Sequence, residues 1–178
     1  MSGPGHGPWG WHRLAPSWAE RLVADAGIRP GDLVLDVGAG TGALTAPLVD
    51  AGARVVAFEL HPGRAAALRE RFAGAPVTVV HADAADLRLP RRPFRVVANP
   101  PFGVTTRLLG RLVAPGSRLV RADLVLQHAA ARRWASGRAP GAGRWGRDYD
   151  VRPGRTVPRA AFDPRPPVDC RVLRVTRR

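Results

Sequence analysis

The sequence predicts an α/β fold in which a doubly wound, mostly parallel sheet carries an antiparallel last strand. Short apolar segments alternate with segments of helical pattern, and Gly and Pro residues separate them at a regular pitch. A glycine-rich turn directly follows the first apolar segment, which is typical of a strand that leads into a helix. The chain has 178 residues, of which 45% are hydrophobic, so it has room for one domain with a real core. We therefore expect a single domain over residues 1–178, in which residues 1–13 form an N-terminal arm.

The predicted elements follow one another in the order that such a sheet requires. The first helix opens with a capping box at Ser17–Glu20. Pro62 starts a later helix, because the first turn does not use the N–H that proline lacks. The predicted helices cover residues 17–26, 62–72, 105–113 and 128–136, with one more between the glycine-rich turn and residue 51. The predicted strands cover residues 32–37, 54–58, 77–80, 94–98, 122–126 and 168–175. Segment 137–148 is rich in Gly and Arg and is predicted to be a mobile basic loop.

The positive charge of the chain is concentrated in its second half. The net charge is +14, and the chain has 28 arginines and no lysine. Residues 1–86 hold 7 arginines and 9 acids, whereas residues 87–178 hold 21 arginines and 5 acids. A strongly basic half of a chain is typical of a protein that binds a polyanion. A basic surface that only keeps the protein soluble gives the same pattern.

Several classes of protein are excluded by features that the sequence lacks. The single cysteine, Cys170, rules out an internal disulfide framework and a Cys-rich zinc module, and we expect no metal. The sequence has no run of eighteen apolar residues and predicts no membrane-spanning helix. Residues 1–10 are rich in Gly and Pro without an apolar stretch, unlike a secretory signal. We therefore expect a cytoplasmic protein.

Polar residues follow three successive predicted strands, at the edge where α/β sheets bind ligands. Gly38 and Gly40 lie in the turn after the first strand, where glycine lets the backbone approach a ligand closely. Glu59 ends the second strand, and a carboxylate there accepts hydrogen bonds from ribose hydroxyls. Asp83, after the third strand, is either an acceptor for an adenine amino group or a helix cap. Together they predict an adenosine-containing ligand, while Asp36 either orients the turn or contacts that ligand through water.

The sharpest signal is the turn Asn99-Pro100-Pro101-Phe102, which follows the fourth predicted strand and contains the only asparagine of the chain. The Asn99 carboxamide oxygen and the Pro100 carbonyl can both accept from one planar amino group, and Phe102 offers a face for stacking a base. An exocyclic amine is a poor nucleophile because its lone pair is delocalised into the ring. Two acceptors on its hydrogens favour a pyramidal nitrogen, so these three residues are candidate catalytic groups, and no general base is needed before attack.

The segment Asp36–Gly42, Glu59, Asp83 and the NPPF turn resemble the class I S-adenosylmethionine-dependent methyltransferases that modify amino nitrogens. The resemblance is closer to the Erm and KsgA-type rRNA adenine-N6 methyltransferases, and within them to the short Erm-type proteins of actinobacteria. Three further segments resemble that family's N-terminal Gln-Asn/His-Phe-Leu motif, its Phe-x-Pro-x-Pro-x-Val segment and the end of its fifth strand: Trp11–Leu14, residues 161–169 and Val125–Gln127.

This resemblance implies a Rossmann-like methyltransferase fold and S-adenosylmethionine as the cofactor. It implies that the residues that bind the cofactor or lie beside its methyl group are His12, Leu14, Gly38, Glu59, Asp83 and Asn99. It implies that Asn99, Pro100 and Phe102 hold the target adenine. It further implies N6-methylation of an adenine in 23S rRNA, and with it resistance to macrolide, lincosamide and streptogramin B antibiotics.

We expect the chain to lack the small C-terminal helical domain with which that family helps to hold RNA. We expect the Arg-rich segment 129–159 and the N-terminal Trp and Arg residues to bind RNA instead, because guanidinium groups fit phosphates. The candidate RNA-binding residues are Arg13, Arg132, Arg133, Arg138, Arg144 and Arg147. We expect a monomer that acts on 23S rRNA or on an immature large-subunit particle.

Other functions stay open at this point. The rRNA enzymes have Asn-Ile/Leu-Pro-Tyr/Phe at the turn where this chain has NPPF. The sequence NPPF favours a methyltransferase for DNA adenine or protein glutamine. However, the sequence predicts no target-recognition domain for either substrate. A non-catalytic RNA- or ribosome-binding protein with a vestigial pocket would bind the cofactor without turnover. A nicotinamide dehydrogenase would leave the NPPF turn unexplained.

Overall fold

The structure, a computed structural model, describes residues 11–178, so most of the predicted N-terminal arm lies outside the described residues. The strands are β1 (Arg13–Leu14), β2 (Leu33–Val37), β3 (Arg54–Glu59), β4 (Val77–His81), β5 (Phe94–Ala98), β6 (Leu119–Gln127), β7 (Tyr149–Val157), β8 (Phe162–Asp163) and β9 (Cys170–Arg177). The helices are α1 (Pro16–Ala26), α2 (Thr45–Asp50), α3 (Pro62–Arg71), α4 (Thr105–Leu112), α5 (His128–Ala135) and α6 (Ala142–Trp145). None of these described helices has the length and hydropathy needed to cross a membrane.

Seven of the strands form one sheet, in the order β4-β3-β2-β5-β6-β9-β7. Strands β2 to β6 pair in parallel with their neighbours, and β9 runs antiparallel between β6 and β7. The predicted fold class, a mostly parallel sheet with an antiparallel last strand, is therefore confirmed. The strand order reverses between β2 and β5, and this is where such sheets open the crevice that holds a ligand.

Helices cover both faces of the sheet because the strands present apolar side chains in both directions. On one face, α1 and α2 pack over a cluster that includes Val34 and Val97. Helix α3 packs nearby through Leu68, which lies in the same small cluster as Ala57 of β3. On the other face, α4, α5 and α6 enclose a larger cluster around Leu124. The helices thus bury both faces of the sheet, and loops lie at the carboxyl ends of its parallel strands.

Helix α1 and strand β7 are among the elements that differ from the sequence prediction. Helix α1 begins at Pro16 after an N-cap at Ala15 that makes no side-chain hydrogen bond, so the capping box predicted at Ser17 is wrong. Proline in the first turn fixes the start of the helix instead. The sequence predicts no strand at β7, because Pro153 and Gly154 interrupt its pattern. The structure accommodates this interruption with a register shift on an edge strand, where proline is tolerated.

Segment 137–148, predicted to be a mobile basic loop, contains α6 and packs on the core through Ala139 and Trp145. Trp145 is only 7% exposed, stacks on Trp134 with ring centroids 5.4 Å apart, and donates its Nε1–H to the Pro140 carbonyl at 3.2 Å. The arginines around this stack are exposed: Arg132, Arg133, Arg138, Arg144 and Arg147. The two tryptophans therefore anchor an arginine-bearing surface to the sheet, and the mobility of the segment stays a prediction.

A second, two-stranded sheet connects the start of the described chain to the segment before β9. Strand β1 pairs antiparallel with β8, with Arg13 opposite Asp163 and Leu14 opposite Phe162. Leu14 and Phe162 are both buried, so this small sheet is fixed to the core. The pairing carries His12 to the carboxyl edge of the main sheet.

Candidate functional site

A cavity of about 490 Å³ opens at the carboxyl edge of the parallel strands. The turns that follow β2, β3, β4 and β5 all contribute to its wall, and so does Gln127 at the end of β6. The wall includes the predicted residues His12, Gly38, Glu59, Asp83, Asn99, Pro100 and Phe102. The parallel topology therefore brings together, in one cavity, groups that are far apart in the sequence.

The glycine-rich turn after β2 packs directly against the NPPF turn. Gly38 has a φ of +75°, and its N–H donates to the Phe58 carbonyl at 2.9 Å. A Cβ at Gly38 would lie 2.9 Å from the Pro101 Cδ, closer than real Cβ contacts come. Glycine is required here for both the backbone conformation and the space. The close approach lets both turns border the same cavity.

Glu59 is buried at the end of β3, where its carboxylate is surrounded by donors. Its Oε2 accepts from the Gly40 N–H at 2.8 Å, and its Oε1 accepts from the His61 N–H at 2.8 Å. The Nε–H of Arg64 also donates to Oε1 at 3.1 Å, and the Arg64 Nη2 forms an ion pair with the same oxygen at 3.0 Å. Arg64 is not among the site residues predicted from the sequence. Its position in the first turn of the helix that follows Glu59 is the signal that could have indicated it.

Asp36 lies at the base of the site and does not border the main cavity. It is 1% exposed, and its Oδ2 accepts from the Thr45 hydroxyl at 2.7 Å. Burial raises the pKa of the Asp36 carboxyl to about 7, and the nearby charge of Glu59 adds to the effect. Asp36 borders a second cavity of about 20 Å³, which is large enough for one water molecule. The cavity therefore has room for the predicted contact through water, and both predicted roles of Asp36 stay predictions.

Asp83 is a cap, one of the two roles that the sequence left open, and its role as an adenine acceptor stays a prediction. Its Oδ1 accepts from the Ala85 N–H at 2.8 Å and caps the short turn Ala84–Asp86. Its Oδ2 accepts no hydrogen bond within residues 11–178, and the residue borders the cavity. One carboxylate oxygen therefore fixes the loop while the other stays available to a ligand.

The carboxamide of Asn99 is oriented by the segment that precedes β1. Its Nδ2 donates to the His12 backbone carbonyl at 2.8 Å, so the Oδ1 of Asn99 is left as an acceptor at the cavity wall. Pro100 follows it, with a carbonyl that can only accept. Asn99 and Pro100 both line the cavity, so the two residues that carry the predicted acceptors are neighbours at its wall.

His12 supports the NPPF turn with its ring as well as with its carbonyl. The His12 ring stacks on Phe102 with centroids 5.4 Å apart and planes inclined by 27°. Its Nδ1 lies 2.8 Å from the Pro164 carbonyl, which can only accept, so Nδ1 carries the hydrogen. His12 thus packs on one face of Phe102, and both residues line the cavity.

The remaining predicted residues lie around the cavity rather than in its wall. Leu14 and Arg13 border the 20 Å³ cavity beside Asp36, and the guanidinium of Arg13 lies 3.6 Å from the carboxylate of Asp163. Gly40 is buried under Trp11, whose indole nitrogen occupies the space that a side chain at Gly40 would need. Trp11, one of the N-terminal residues expected to bind RNA, borders both cavities.

Comparison with known proteins identifies a family for almost the whole chain. Residues 15–178 match the ribosomal RNA adenine dimethylases. An rRNA adenine N-6-methyltransferase of Corynebacterium diphtheriae is 36% identical over 147 residues, which cover 81% of this chain and 57% of that protein. The ribosomal RNA small subunit methyltransferase A of Leifsonia xyli is 39% identical over 164 residues, which cover 84% of this chain and 58% of that protein.

The fold comparison agrees with the sequence comparison. The crystal structure of the 23S rRNA methyltransferase ErmE superposes with a TM-score of 0.82 at 31% identity, over 91% of this chain and 68% of that one. A dimethyladenosine transferase from Plasmodium falciparum gives a TM-score of 0.80 at 23% identity, over 94% of this chain and 64% of that one. The chain spans a little over half the length of the curated relatives that it matches.

Proposed function

The chain belongs to the ribosomal RNA adenine dimethylase family, and we propose that it transfers a methyl group from S-adenosylmethionine to N6 of an adenine in 23S rRNA. The observation that carries this proposal is the pair of acceptors on the NPPF turn, the Oδ1 of Asn99 and the carbonyl of Pro100, at the wall of the cavity that Glu59 also borders. The likeness to ErmE supports the choice of 23S rRNA. We further propose that this methylation confers resistance to macrolide, lincosamide and streptogramin B antibiotics.

The residues of the cavity fit S-adenosylmethionine. Gly38 presents bare backbone to the cavity, and its turn has no space for a side chain. The carboxylate of Glu59 is suited to ribose hydroxyls, and the open Oδ2 of Asp83 is suited to an adenine amino group. Leu60, an exposed apolar residue directly after Glu59, gives the cavity an apolar wall. When bound, S-adenosylmethionine supplies an electrophilic methyl group.

The NPPF turn performs its part without a general base. The Oδ1 of Asn99 and the Pro100 carbonyl accept the two N6 hydrogens and favour a pyramidal nitrogen, which returns the lone pair from the ring. The target adenine stacks on the face of Phe102 that is opposite the His12 ring. The target base must be unpaired or extruded to reach this cavity. The new N6–methyl bond would form as the S–CH3 bond of the cofactor breaks, with S-adenosylhomocysteine as the leaving group, and the surplus proton on N6 would then pass to water.

Mapping the methylated base tests the proposal. The protein is incubated with labelled S-adenosylmethionine and, separately, with protein-free 23S rRNA, 16S rRNA, DNA and a glutamine-containing protein substrate. We expect N6-methyladenine at one adenine of the peptidyl-transferase loop of 23S rRNA, read by primer extension and mass spectrometry. Methylation of 16S rRNA instead would overturn the choice of subunit. Cofactor binding without methylation of any substrate, assembling large-subunit particles included, would support a non-catalytic RNA-binding protein.

We also propose that RNA binds along α5 and α6, because the arginine side chains there make no hydrogen bond or ion pair with other described residues. Arg121 and Arg174 both bond to Asp123, and Arg155 bonds to Asp25. In contrast, five arginines of α5 and the segment after it form no side-chain hydrogen bond or ion pair among the described residues: Arg132, Arg133, Arg138, Arg144 and Arg147. Their guanidinium groups are therefore free to bind phosphates.

A matched pair of triple variants tests this surface. Changing Arg132, Arg144 and Arg147 to Gln is expected to lower the affinity for rRNA about 10- to 100-fold at low salt, and to reduce the salt dependence of binding, because phosphate contacts are lost. Changing the exposed arginines Arg29, Arg54 and Arg69 to Gln removes the same charge elsewhere. Filter binding over a series of salt concentrations measures both variants. Equal losses in the two would indicate a general field effect and contradict a local RNA surface.

A further inference from the structure

The guanidinium of Arg64 lies in the wall of the main cavity, between the carboxylate of Glu59 and the ring of Trp11. Its Nε–H donates to Glu59 Oε1 at 3.1 Å, and its Nη2 lies 3.0 Å from the same oxygen as an ion pair. Its Cζ lies 5.1 Å from the centroid of the Trp11 ring, within the range of a cation–π interaction. The side chain of Arg64 is 20% exposed, against 4% for that of Glu59. Arg64 therefore covers the carboxylate from the side of the cavity.

The hydrogen bonds to Glu59 leave little room for a ribose. A carboxylate offers about four lone-pair sites. Among the described residues, the Oε1 of Glu59 accepts two hydrogen bonds, from the His61 N–H and the Arg64 Nε–H, and Oε2 accepts one from the Gly40 N–H. Two vicinal hydroxyls need two acceptor sites, and with these bonds in place only Oε2 has one open. The donors of His61 and Gly40 are backbone groups fixed by their turns, so Arg64 is the one donor that can leave.

We propose that the side chain of Arg64 occupies, in the main cavity, the position that the ribose of the cofactor takes. We propose that it is displaced from Glu59 when the nucleoside binds. This inference rests on the proposed function, because it takes S-adenosylmethionine as the ligand. The exchange replaces a charged hydrogen bond to Glu59 with bonds from neutral hydroxyls, so the ribose hydroxyls add little net affinity in the natural protein. The ring of Trp11, which already lies under the guanidinium, keeps Arg64 close to the site after it has moved.

Binding of S-adenosylhomocysteine and of its 2′,3′-dideoxy analogue, measured by calorimetry, tests this role. In the natural protein we expect the two ligands to differ by less than about threefold in affinity, because each gained hydroxyl bond is offset by a lost bond to Arg64. In Arg64→Ala the two backbone donors still hold Glu59, and we expect the ribose ligand to bind about tenfold tighter than the dideoxy analogue. The control Arg69→Ala removes an exposed arginine of the same helix and should match the natural protein.

The results separate the role of Arg64 from the proposed function. If all three proteins bind S-adenosylhomocysteine with the same preference over the dideoxy analogue, only the role of Arg64 is overturned. If none of them binds either ligand, the proposed function fails with it. Nitrogen-15 NMR gives a second readout, since the Arg64 Nε–H signal is identified by its absence in Arg64→Ala. We expect that signal to shift when S-adenosylhomocysteine is added and to stay in place with the dideoxy analogue; the same response to both would overturn the proposal.

Discussion

Asn99→Ala is expected to lower the rate of methyl transfer by about 10²- to 10³-fold, the usual cost of removing one group that stabilises the transition state. The variant loses the Oδ1 acceptor at the cavity wall, so the target amino group keeps only the Pro100 carbonyl. It also loses the hydrogen bond from Nδ2 to the His12 carbonyl, which costs about 1 kcal/mol of stability. Single-turnover kinetics with rRNA and S-adenosylmethionine measure the rate of the chemical step.

Two measurements on the same variant separate catalysis from folding and binding. Thermal unfolding should show a stable protein, and the affinity for S-adenosylhomocysteine should stay within about threefold, because an interaction made only in the transition state lowers the rate without changing ground-state binding. A loss of affinity as large as the loss of rate would contradict the catalytic role. It would instead make Asn99 a residue that shapes the pocket by holding the His12 segment.

The sheet and the positions of its strand-end residues could be predicted because both follow from local patterns. Short runs of Val, Leu and Ala fix the strands, and parallel topology places their carboxyl ends together, so Glu59 and Asn99 meet although forty residues separate them. Strand β7 could not be predicted, because its pattern breaks at Pro153 and its pairing partner β9 lies further along the chain. Edge strands of this kind form through tertiary pairing rather than through their own propensity.

The hydrogen bonds within the site could not be predicted, since they join distant turns. The sequence indicates that Glu59 ends a strand, but the donors on it come from the glycine-rich turn and from α3. The sequence predicts only that Trp11 binds RNA with the other N-terminal Trp and Arg residues, and its contact with Gly40 depends on the pairing of β1 with β8. The sequence therefore indicates which chemical groups reach the cavity, and the structure adds which of them are already occupied.

Asp36→Asn is expected to stabilise the protein at neutral and alkaline pH and to have little effect near pH 4. Burial raises the pKa of the Asp36 carboxyl to about 7, from an ordinary value of 3.8. The folded protein therefore holds a proton between these two pH values that the unfolded chain releases, so the stability of the natural protein falls as the pH rises from about 4 to 7. Above pH 7 the full cost of the buried charge remains, on the order of 4 kcal/mol for a shift of this size.

The neutral amide that Asp36→Asn introduces avoids this cost and keeps the local hydrogen bond. Its oxygen can accept from the Thr45 hydroxyl as the carboxylate does, and its NH2 can bond to a water molecule in the 20 Å³ cavity. Urea denaturation from pH 4 to pH 9 measures the free energy of unfolding of both proteins. The difference between them should be near zero at pH 4 and grow up to pH 7 in favour of Asp36→Asn.

Asp25→Asn is a control of opposite sign for this titration. The guanidinium of Arg155, hydrogen-bonded to Asp25 at 2.7 Å, holds the pKa of that carboxyl below its usual value. A lowered pKa adds stability above the unfolded pKa, and this stability is lost as the pH falls. Asp25→Asn should therefore be the less stable protein at pH 7 and equal to the natural one at low pH. The raised pKa of Asp36 would be contradicted if Asp36→Asn, like Asp25→Asn, were less stable than the natural protein at pH 7. That result would mean that the fold stabilises the carboxylate of Asp36.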